Sequence, residues 1–497
     1  RSLDDDGAAL LRFDGGASGV LIATQVAAGE ENDISIRLYG EKGGMEWHQA
    51  EPNSLYVKWP DRPMEVVRTG NGYMGAAARA NTRTPGGHPE GYIEAFANIY
   101  RNFARTVRAR REGREPQPEW TDFPSVEDGI RGMQFIETMV LLAVNHQSLI
   151  ATKASRVVFA AAGDGIMEFG LRRAQGPDAG LYGARAAVIG GCVGTSNVLA
   201  GKLFDVPVLG THAHSWIMSF SDEYTAFKAY ADLYPDNCTL LVDTYDTLKS
   251  GVPNAIRVFQ EMRDAGVKLT RYGIRLDSGD LAYLSKKARK MLDEAGFEDA
   301  TIAASNDLDE YLLHDLKIQG AAITSWGVGT NLITSKDCPS FGGVYKLAAI
   351  KTEDGEFVPK IKLSENTEKI TNPGNKTIYR IYDKATGKIR ADLICFVGEA
   401  FNPDEDLVIF DPLETWKKTK LKGGSYTMRE LMVPVFRNGE CIYQSPSVKE
   451  IAAYCTQEKA TLWDETKRLF YPHRVYVDLS DKLYAVKKEL LNQLGRE

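Results

Sequence analysis

The sequence predicts an α/β protein whose parallel sheet closes, or nearly closes, into a barrel, preceded by an α+β module with an antiparallel sheet. Two observations predict this class. From about residue 140 onward, short apolar runs alternate with amphipathic helical segments, which is typical of parallel sheets. Before that point, strand-like runs follow one another with only Gly, Asn and Pro between them. The chain has 497 residues, too many for one ordinary core, so several domains are expected.

The composition excludes several classes of protein. It is 43% hydrophobic and 26% charged, with a net charge of -7, so a nucleic-acid partner is not expected. No apolar run is long enough to cross a bilayer, so no membrane partner is expected either. The six cysteines form no Cys-x-x-Cys pair, which favours a reducing cytoplasm over zinc sites or a disulfide framework.

Residues 1–140 are predicted to form the antiparallel module. A helix is expected over residues 91–111, where aromatic and apolar residues recur on one stripe, and Ser125 opens another helix with capping-box spacing. Alternating apolar residues predict strands at 19–26, 33–40, 54–59 and 64–68.

Three motifs in this module carry a family resemblance: Gly-Glu-Lys-Gly-Gly at 40–44, His-Pro-Glu-Gly-Tyr at 88–92, and residues 128–137. With them, residues 1–139 resemble the C-terminal domain of Gfo/Idh/MocA oxidoreductases, which packs on a dinucleotide-binding Rossmann domain in that family. No Gly-x-Gly-x-x-Gly follows a strand here, and the glycines at 188–194 have the wrong spacing, so a working dehydrogenase is not expected. His88 and Glu90 are either structural residues at a helix start, which is favoured, or remnants of a sugar-binding surface.

Residues 141–350 are predicted to form the barrel, and residues 351–497 a separate C-terminal region. Helices are expected at 254–265 and 283–295, hairpin-like segments at 377–382 and 391–396, and a helical tail at the end of the chain. Apolar runs predict barrel strands at 206–209, 239–242, 272–276, 301–304, 321–325 and 344–350.

Polar clusters follow these strands, beginning with Gly-Thr-His-Ala-His-Ser-Trp at 210–216. Similar clusters stand at 243–247, 275–280, 305–309 and 326–331. Each cluster alone is more often turn and helix-cap chemistry than catalysis. Because the carboxyl ends of barrel strands meet at one mouth, the set together predicts a functional site there.

The residue types in these clusters suit anionic ligands. Gly327, Gly329 and Thr330 predict close approach of the backbone to a phosphate. Arg172 is suited to phosphate or carboxylate, and Arg275 to a small carboxylate bound through two hydrogen bonds. No His, Asp or Glu set has the spacing of a zinc site.

Carboxylates and a histidine complete the predicted site. Ribose hydroxyls or Mg²⁺-bound water could be ordered by Asp243, Asp277, Asp280 and Asp307. His214 is either a nucleophile that accepts a phosphoryl group or a hydrogen-bond donor to a phosphate, and the sequence alone leaves both open.

Long motifs from residue 141 onward carry a second resemblance, to nicotinate phosphoribosyltransferases in their bacterial form. It implies a type II phosphoribosyltransferase fold, with an α/β barrel and a second α/β domain, and a homodimer with shared active sites. The matching segments are 168–183, 190–202, 210–216, 240–253, 273–281, 327–330, 342–347, 362–369 and 373–374.

The resemblance implies that nicotinate and phosphoribosyl diphosphate form nicotinate mononucleotide and diphosphate, with Mg²⁺ as cofactor and coupled hydrolysis of ATP as co-substrate, in NAD salvage. By position, His214 matches the phosphorylated histidine, Thr211 and Arg275 the nicotinate contacts, Thr330 the phosphate-site threonine, and Arg172 a basic residue near the phosphates. We add Asp277 as catalytic and the following residues as substrate-binding: Ser305, Asn306, Asp307, Gly327 and Gly329.

The chain departs from this family at its N-terminus. The family's N-terminal segment, with an aromatic residue that stacks on the pyridine ring, has no counterpart, and the oxidoreductase-like module stands in its place. One hypothesis is a phosphoribosyltransferase with an altered pyridine pocket. The alternative is a fused or mis-joined chain that binds phosphorylated ligands without turnover. Specificity for nicotinamide or quinolinate is a third option.

Overall fold

The computed structural model describes residues 6–13, 15–24, 27, 29–340, 346–363, 370–412, 414, 416–437 and 440–494, except the side chains of 6–8, 10, 12 and 133–145. The chain divides into two compact units, Arg1–Leu141 and Leu142–Glu497. None of the described helices combines the length and the apolar content that a membrane crossing requires.

The first unit is α+β. β1 pairs with β2, and β3 to β6 form a four-stranded antiparallel sheet in sequence order. Its strands are β1 (Asp6–Arg12), β2 (Ser18–Thr24), β3 (Ser35–Gly40), β4 (Gly43–His48), β5 (Ser54–Lys58) and β6 (Glu65–Arg68). Its helices are α1 (Ala76–Asn81), α2 (Tyr92–Arg111), a 3-10 turn (Pro118–Trp120) and the start of α3 (Val126–Ala160).

The predicted strands and long helices of this unit are found, but β1 and β4 were not predicted. The Gly-rich stretch at 40–44 reads as a loop in the sequence. In the structure it is a tight turn, and β4 begins at Gly43. Residues 25 and 26 of the first predicted strand lie outside the described residues.

A curled parallel sheet forms the centre of the second unit, in the order β8-β7-β12-β11-β10-β9. Its strands are β7 (Gly165–Glu168), β8 (Gly194–Thr195), β9 (Cys238–Leu241), β10 (Tyr272–Leu276), β11 (Thr301–Ala304) and β12 (Ser325–Val328). The helices around it are α4 (Pro177–Gly190), α5 (Val198–Phe204), α6 (His214–Met218), α7 (Glu223–Leu233), α8 (Val252–Asp264), α9 (Leu281–Glu294), α10 (Glu310–Ile318) and α11 (Thr330–Ile333).

The strands are short, apolar and buried, as expected for a parallel sheet covered on both faces. Leu240, Ile274, Ile302, Trp326 and Ile166 are all at most 1% exposed and belong to one core. Because all six strands run in the same direction, the turns that follow them emerge at one edge of the sheet.

Three predicted barrel strands need correction. The segment at 206–209 makes only a single parallel bridge, between Val208 and Thr195. The strand predicted at 321–325 begins only at Ser325 and continues to Val328, although Ile323 is also buried in the core.

The last predicted barrel strand, at 344–350, is also wrong. Its first two residues lie outside the described residues, and Ala349 begins a strand outside the parallel sheet. That strand, Ala349–Lys351, pairs antiparallel with Phe357–Pro359.

The C-terminal part of the second unit contains a second six-stranded sheet, in the order β18-β17-β22-β16-β15-β19. The two predicted hairpin segments are its central antiparallel pair, β15 and β16. The strands of this part are β13 (Ala349–Lys351), β14 (Phe357–Pro359), β15 (Lys376–Asp383), β16 (Ile389–Phe396), β17 (Leu407–Phe410), β18 (Lys418–Leu421), β19 (Tyr426–Glu430), β20 (Phe436–Arg437), β21 (Glu440–Cys441) and β22 (Tyr476–Leu479). Its helices are α12 (Val448–Ala460), α13 (Asp464–Lys467) and α14 (Asp481–Leu494).

Candidate active site

A guanidinium at the end of β10 joins three turns of the sheet edge. Arg275 is 15% exposed, and its Nη1 donates to the Thr211 hydroxyl. Its Nε donates to Ser305 Oγ at 2.9 Å and its Nη2 to Asp277 Oδ1 at 3.2 Å. Ser305 in turn donates to Asp277. Three of the five N–H donors of the fork are therefore held by protein, which leaves two for a bound carboxylate.

A buried carboxylate after β9 orients the predicted histidine. Asp243 is 1% exposed, and its Oδ1 lies 3.2 Å from His214 Nε2. Its Oδ2 accepts from the backbone N–H of Asp277 and from the Ser278 hydroxyl, both at 2.7 Å. With hydrogen on Nε2 bound to Asp243, the neutral imidazole carries its lone pair on Nδ1. The half-exposed His214 then has a free lone pair on Nδ1, which a nucleophilic role requires.

The other histidine of the motif, His212, has a structural role. His212 is 8% exposed, and its Nε2 accepts from the backbone N–H of Leu241, on the free edge of β9, at 3.2 Å. The ring lies edge-on to Tyr230, with centroids 4.6 Å apart. Burial lowers the pKa of His212 to about 4, so the ring stays neutral and can accept this hydrogen bond.

The turns after β11 and β12 are also joined. Thr330 donates to Asp307 Oδ1 at 3.4 Å, and Asn331 Nδ2 donates to the Asp307 carbonyl at 2.9 Å. Asn306 has a φ of 111°, a conformation that is rare for residues other than glycine and is often found at functional sites. Its Oδ1 accepts from the Asp307 N–H at 2.9 Å.

The turn after β7 contributes an aromatic ring and an arginine. Arg275 Cζ lies 5.8 Å from the centre of the Phe169 ring, within cation–π range. A Cβ on Gly327 would come within 2.6 Å of Phe169 Cδ2, and one on Gly329 within 3.1 Å of the Phe169 carbonyl oxygen. The atoms that lie closest to both glycines therefore belong to Phe169. Arg172 lies exposed in the 3-10 turn that follows, bonded to none of the described residues.

Asp243 and Asp280, two of the four aspartates predicted to order ribose hydroxyls or Mg²⁺-bound water, both make hydrogen bonds within the protein. Both Asp243 oxygens are engaged, and Asp280 caps α9 by accepting the Tyr283 N–H at 2.9 Å. Within the described ranges, no group of three or more His, Cys, Asp or Glu side chains could hold a metal ion. The residues present therefore do not fit a directly ligated Mg²⁺ ion.

In the first unit, the Glu90 side chain forms hydrogen bonds within its own loop. Its carboxylate is 11% exposed and accepts from the backbone N–H groups of Arg83 and Thr84 and from the Thr84 hydroxyl. These bonds lower the pKa of Glu90, against the effect of burial. His88 is exposed, and its carbonyl accepts from the Thr84 hydroxyl at 2.8 Å. Glu90 therefore holds the loop that precedes α2 through its side chain, whereas His88 contributes its main-chain carbonyl and the role of its ring stays a prediction.

The structure thus brings the predicted residues into two groups, which the bond from the Asp277 N–H to Asp243 joins, and one separate pair. Thr211, Arg275, Asp277 and Ser305 form the first group, and His214 with Asp243 the second. Thr330 and Asp307 form the pair, whereas Arg172 and Asp280 join none of these. Sequence reasoning missed Glu168, the last residue of the four-residue strand β7, and Phe169, which follows it.

Comparisons with known proteins cover both units. Residues 165–378 match the model of the nicotinate phosphoribosyltransferase (NAPRTase) family, and residues 375–487 match the nicotinate phosphoribosyltransferase C-terminal domain. Residues 1–148 match the oxidoreductase family, C-terminal alpha/beta domain.

Similar whole proteins cover most of the second unit. Nicotinate phosphoribosyltransferase of Bacillus subtilis is 48% identical over 369 residues, which is 74% of this chain and 74% of the relative. The Caenorhabditis elegans enzyme of the same name is 34% identical and covers 76% of each chain. The crystal structure of human nicotinic acid phosphoribosyltransferase aligns with a TM-score of 0.59 at 28% identity, over 72% of this chain and 77% of that one. The chain therefore belongs to the nicotinate phosphoribosyltransferase family, with an oxidoreductase-type domain as its first unit.

Proposed function

We propose that the edge of the parallel sheet joins nicotinate to phosphoribosyl diphosphate, giving nicotinate mononucleotide and diphosphate, with coupled hydrolysis of ATP. The observation that carries this proposal is the Arg275 fork, held by Thr211, Ser305 and Asp277. The two free N–H donors match the two oxygens of the nicotinate carboxylate. Nicotinamide is neutral and carries only one oxygen acceptor, so this fork favours the acid.

The same contacts place the reacting atoms. Nicotinate binds with its carboxylate on Arg275 and its ring beside Phe169. Its pyridine nitrogen then attacks C1 of the ribose as the bond from C1 to diphosphate breaks. C1 becomes positively charged in the transition state, and the carboxylate of Asp277, half-buried at the same edge, stabilises that charge. Thr330 and the exposed Arg172 bind the phosphate groups.

His214 couples ATP to this reaction. Its Nδ1 attacks the γ-phosphorus, the bond to ADP breaks, and water later releases the phosphoryl group as inorganic phosphate. Asp243, bonded to Nε2, stabilises the cationic ring that forms. Mg²⁺ belongs to this proposal only as part of the magnesium complexes of ATP and phosphoribosyl diphosphate.

The wider setting follows from this chemistry. The product is a pyridine mononucleotide, so we place the reaction in NAD salvage, in the cytoplasm, and expect a homodimer. The alternative, a fused chain that binds phosphorylated ligands without turnover, rests on the replaced N-terminal segment alone. The Arg275 and His214 networks are complete within the second unit.

The test is phosphoryl transfer followed by product formation. The purified chain is incubated with γ-labelled ATP and Mg²⁺, and the acid-labile label is compared between the wild type and His214→Ala. Nicotinate and phosphoribosyl diphosphate are added in the same series. Label that depends on His214, together with nicotinate mononucleotide, is the expected result. A folded protein that gives neither label nor product would contradict the proposal and favour the alternative.

A further inference from the structure

The last residue of β7 is a fully buried carboxylate that the reaction above does not use. Glu168 has 0% exposure, and no Lys, Arg or His among the described residues forms an ion pair with it. Burial raises the pKa of Glu168, while two hydrogen bonds act in the opposite direction. Burying a carboxyl group without a neighbouring cation costs free energy. The hydrogen bonds of Glu168 therefore indicate what this side chain contributes to the structure.

These hydrogen bonds join two turns at the sheet edge. Oε1 accepts from the backbone N–H of Gly170, in the turn after β7. Oε2 accepts from the Thr195 hydroxyl at 2.6 Å, and Thr195 Oγ in turn accepts from the backbone N–H of Asn197 at 3.0 Å. The Glu168 carbonyl also accepts from the Ser196 N–H at 3.0 Å. One side chain therefore fixes the start of the β7 turn against the turn after β8.

The turn that Glu168 fixes carries Phe169. The Phe169 N–H donates to the Val328 carbonyl at 2.8 Å, and its ring lies against Gly327 and 5.8 Å from Arg275 Cζ. Gly170 has no room for a side chain, because a Cβ there would collide with Ile333 and approach Glu168 Oε1 to 2.7 Å. The carboxylate and the adjacent turn therefore fit each other closely, and a change at Glu168 displaces the residue next to it.

We propose that Glu168 is a positioning residue that holds the Phe169 ring beside Arg275 and thereby sets the affinity for the pyridine substrate. The proposal rests on the function proposed above, since it assigns Phe169 and Arg275 to the pyridine. Glu168 itself is enclosed and touches no substrate.

Three variants test this role. Glu168→Gln keeps the shape but replaces one acceptor by a donor, and Thr195→Val removes the hydroxyl that donates to Oε2. Thr195→Ser keeps that hydroxyl and is the matched control. Loss of one buried hydrogen bond corresponds to about a tenfold change in affinity. We expect the KM for nicotinate to rise about tenfold in the first two variants, with a smaller change in the KM for phosphoribosyl diphosphate, and to stay within about twofold in Thr195→Ser.

A purely structural role gives a different pattern. It lowers the melting temperature but leaves the KM for nicotinate unchanged well below that temperature, and this result would overturn the proposal. The combined Glu168→Gln and Thr195→Val variant should resemble Thr195→Val alone, because Thr195→Val already removes the bond to Glu168, together with the Asn197 bond. A combined effect equal to the product of the two would also overturn it.

Hydrogen exchange separates this proposal from the proposed reaction. Peptides covering residues 165–175 and 194–199 report the amides of Gly170 and Asn197, with or without turnover. Faster exchange of both peptides in Glu168→Gln, but not in Thr195→Ser, supports the positioning role even in a chain that makes no product. Unchanged exchange would overturn the role even in an active enzyme.

Discussion

Acidification should weaken the second unit through His212. The imidazole accepts the Leu241 N–H only while its Nε2 is unprotonated, and burial lowers its pKa from 6.5 to about 4. Between these two values the unfolded chain binds a proton at this site that the folded chain does not. The contribution of His212 to stability is therefore complete above about pH 6.5 and is lost as the pH falls toward about 4.

The size of this effect follows from the two pKa values. Between about pH 8 and about pH 5, linkage predicts a loss of about 2 kcal/mol in the free energy of unfolding. The side chain is only 8% exposed, so solvent screening does not reduce this value strongly.

The comparison protein is His212→Gln, whose amide oxygen can accept the Leu241 N–H but does not titrate. The free energy of opening is measured by hydrogen exchange in peptides covering β9 and β10, after correction for the intrinsic pH dependence of exchange. Other titrating groups cancel in the difference between the two proteins. The wild type should lose about 2 kcal/mol more than His212→Gln on going to about pH 5. Equal losses in the two proteins would refute the role given to His212.

Three further substitutions test the site. Arg275→Lys replaces the planar fork by a single ammonium and should raise the KM for nicotinate at least tenfold in steady-state kinetics, so an unchanged KM would contradict this assignment. Asp243→Asn removes the charge that stabilises the His214 ring and should slow its labelling by ATP about tenfold in a quenched time course; equal rates would contradict the pairing. Gly327→Ala places a Cβ 2.6 Å from Phe169 Cδ2 and should lower kcat/KM for nicotinate several-fold, whereas a neutral result would show that the ring moves freely.

The sequence predicts one half of the parallel sheet, β9 to β11, better than the other half, β12, β7 and β8. β9, β10 and β11 are apolar runs followed by polar turns, so both their type and their position can be read directly. β8 has only two residues, too few for any periodic pattern. The prediction at 321–325 rests on an apolar Ala-Ala-Ile run whose Ile323 is buried, but the hydrogen-bonded strand lies further along, at Ser325–Val328.

The site shows a similar division. Arg275 and Asp243 could be placed at one edge because the first lies near the end of a strand of the parallel sheet and the second follows one, and His214 because it follows the segment at 206–209, which makes a parallel bridge to β8. The sequence could not show that Asp280 caps its own helix, because a capping aspartate and a ligand-binding aspartate look the same in a turn. Glu168 was missed because its importance comes from its burial, and burial depends on the tertiary structure.

The glycines around the site have a consequence for how its substrate range can change. On one side, Gly327 lies against the Phe169 ring and Gly329 against the Phe169 carbonyl oxygen, so a side chain added at either glycine would have to displace Phe169. Gly210 is different, since a Cβ added there meets no described atom within 4 Å. New specificities should therefore arise by substitution around Gly210, whereas the wall beside Phe169 stays constant among descendants of this enzyme.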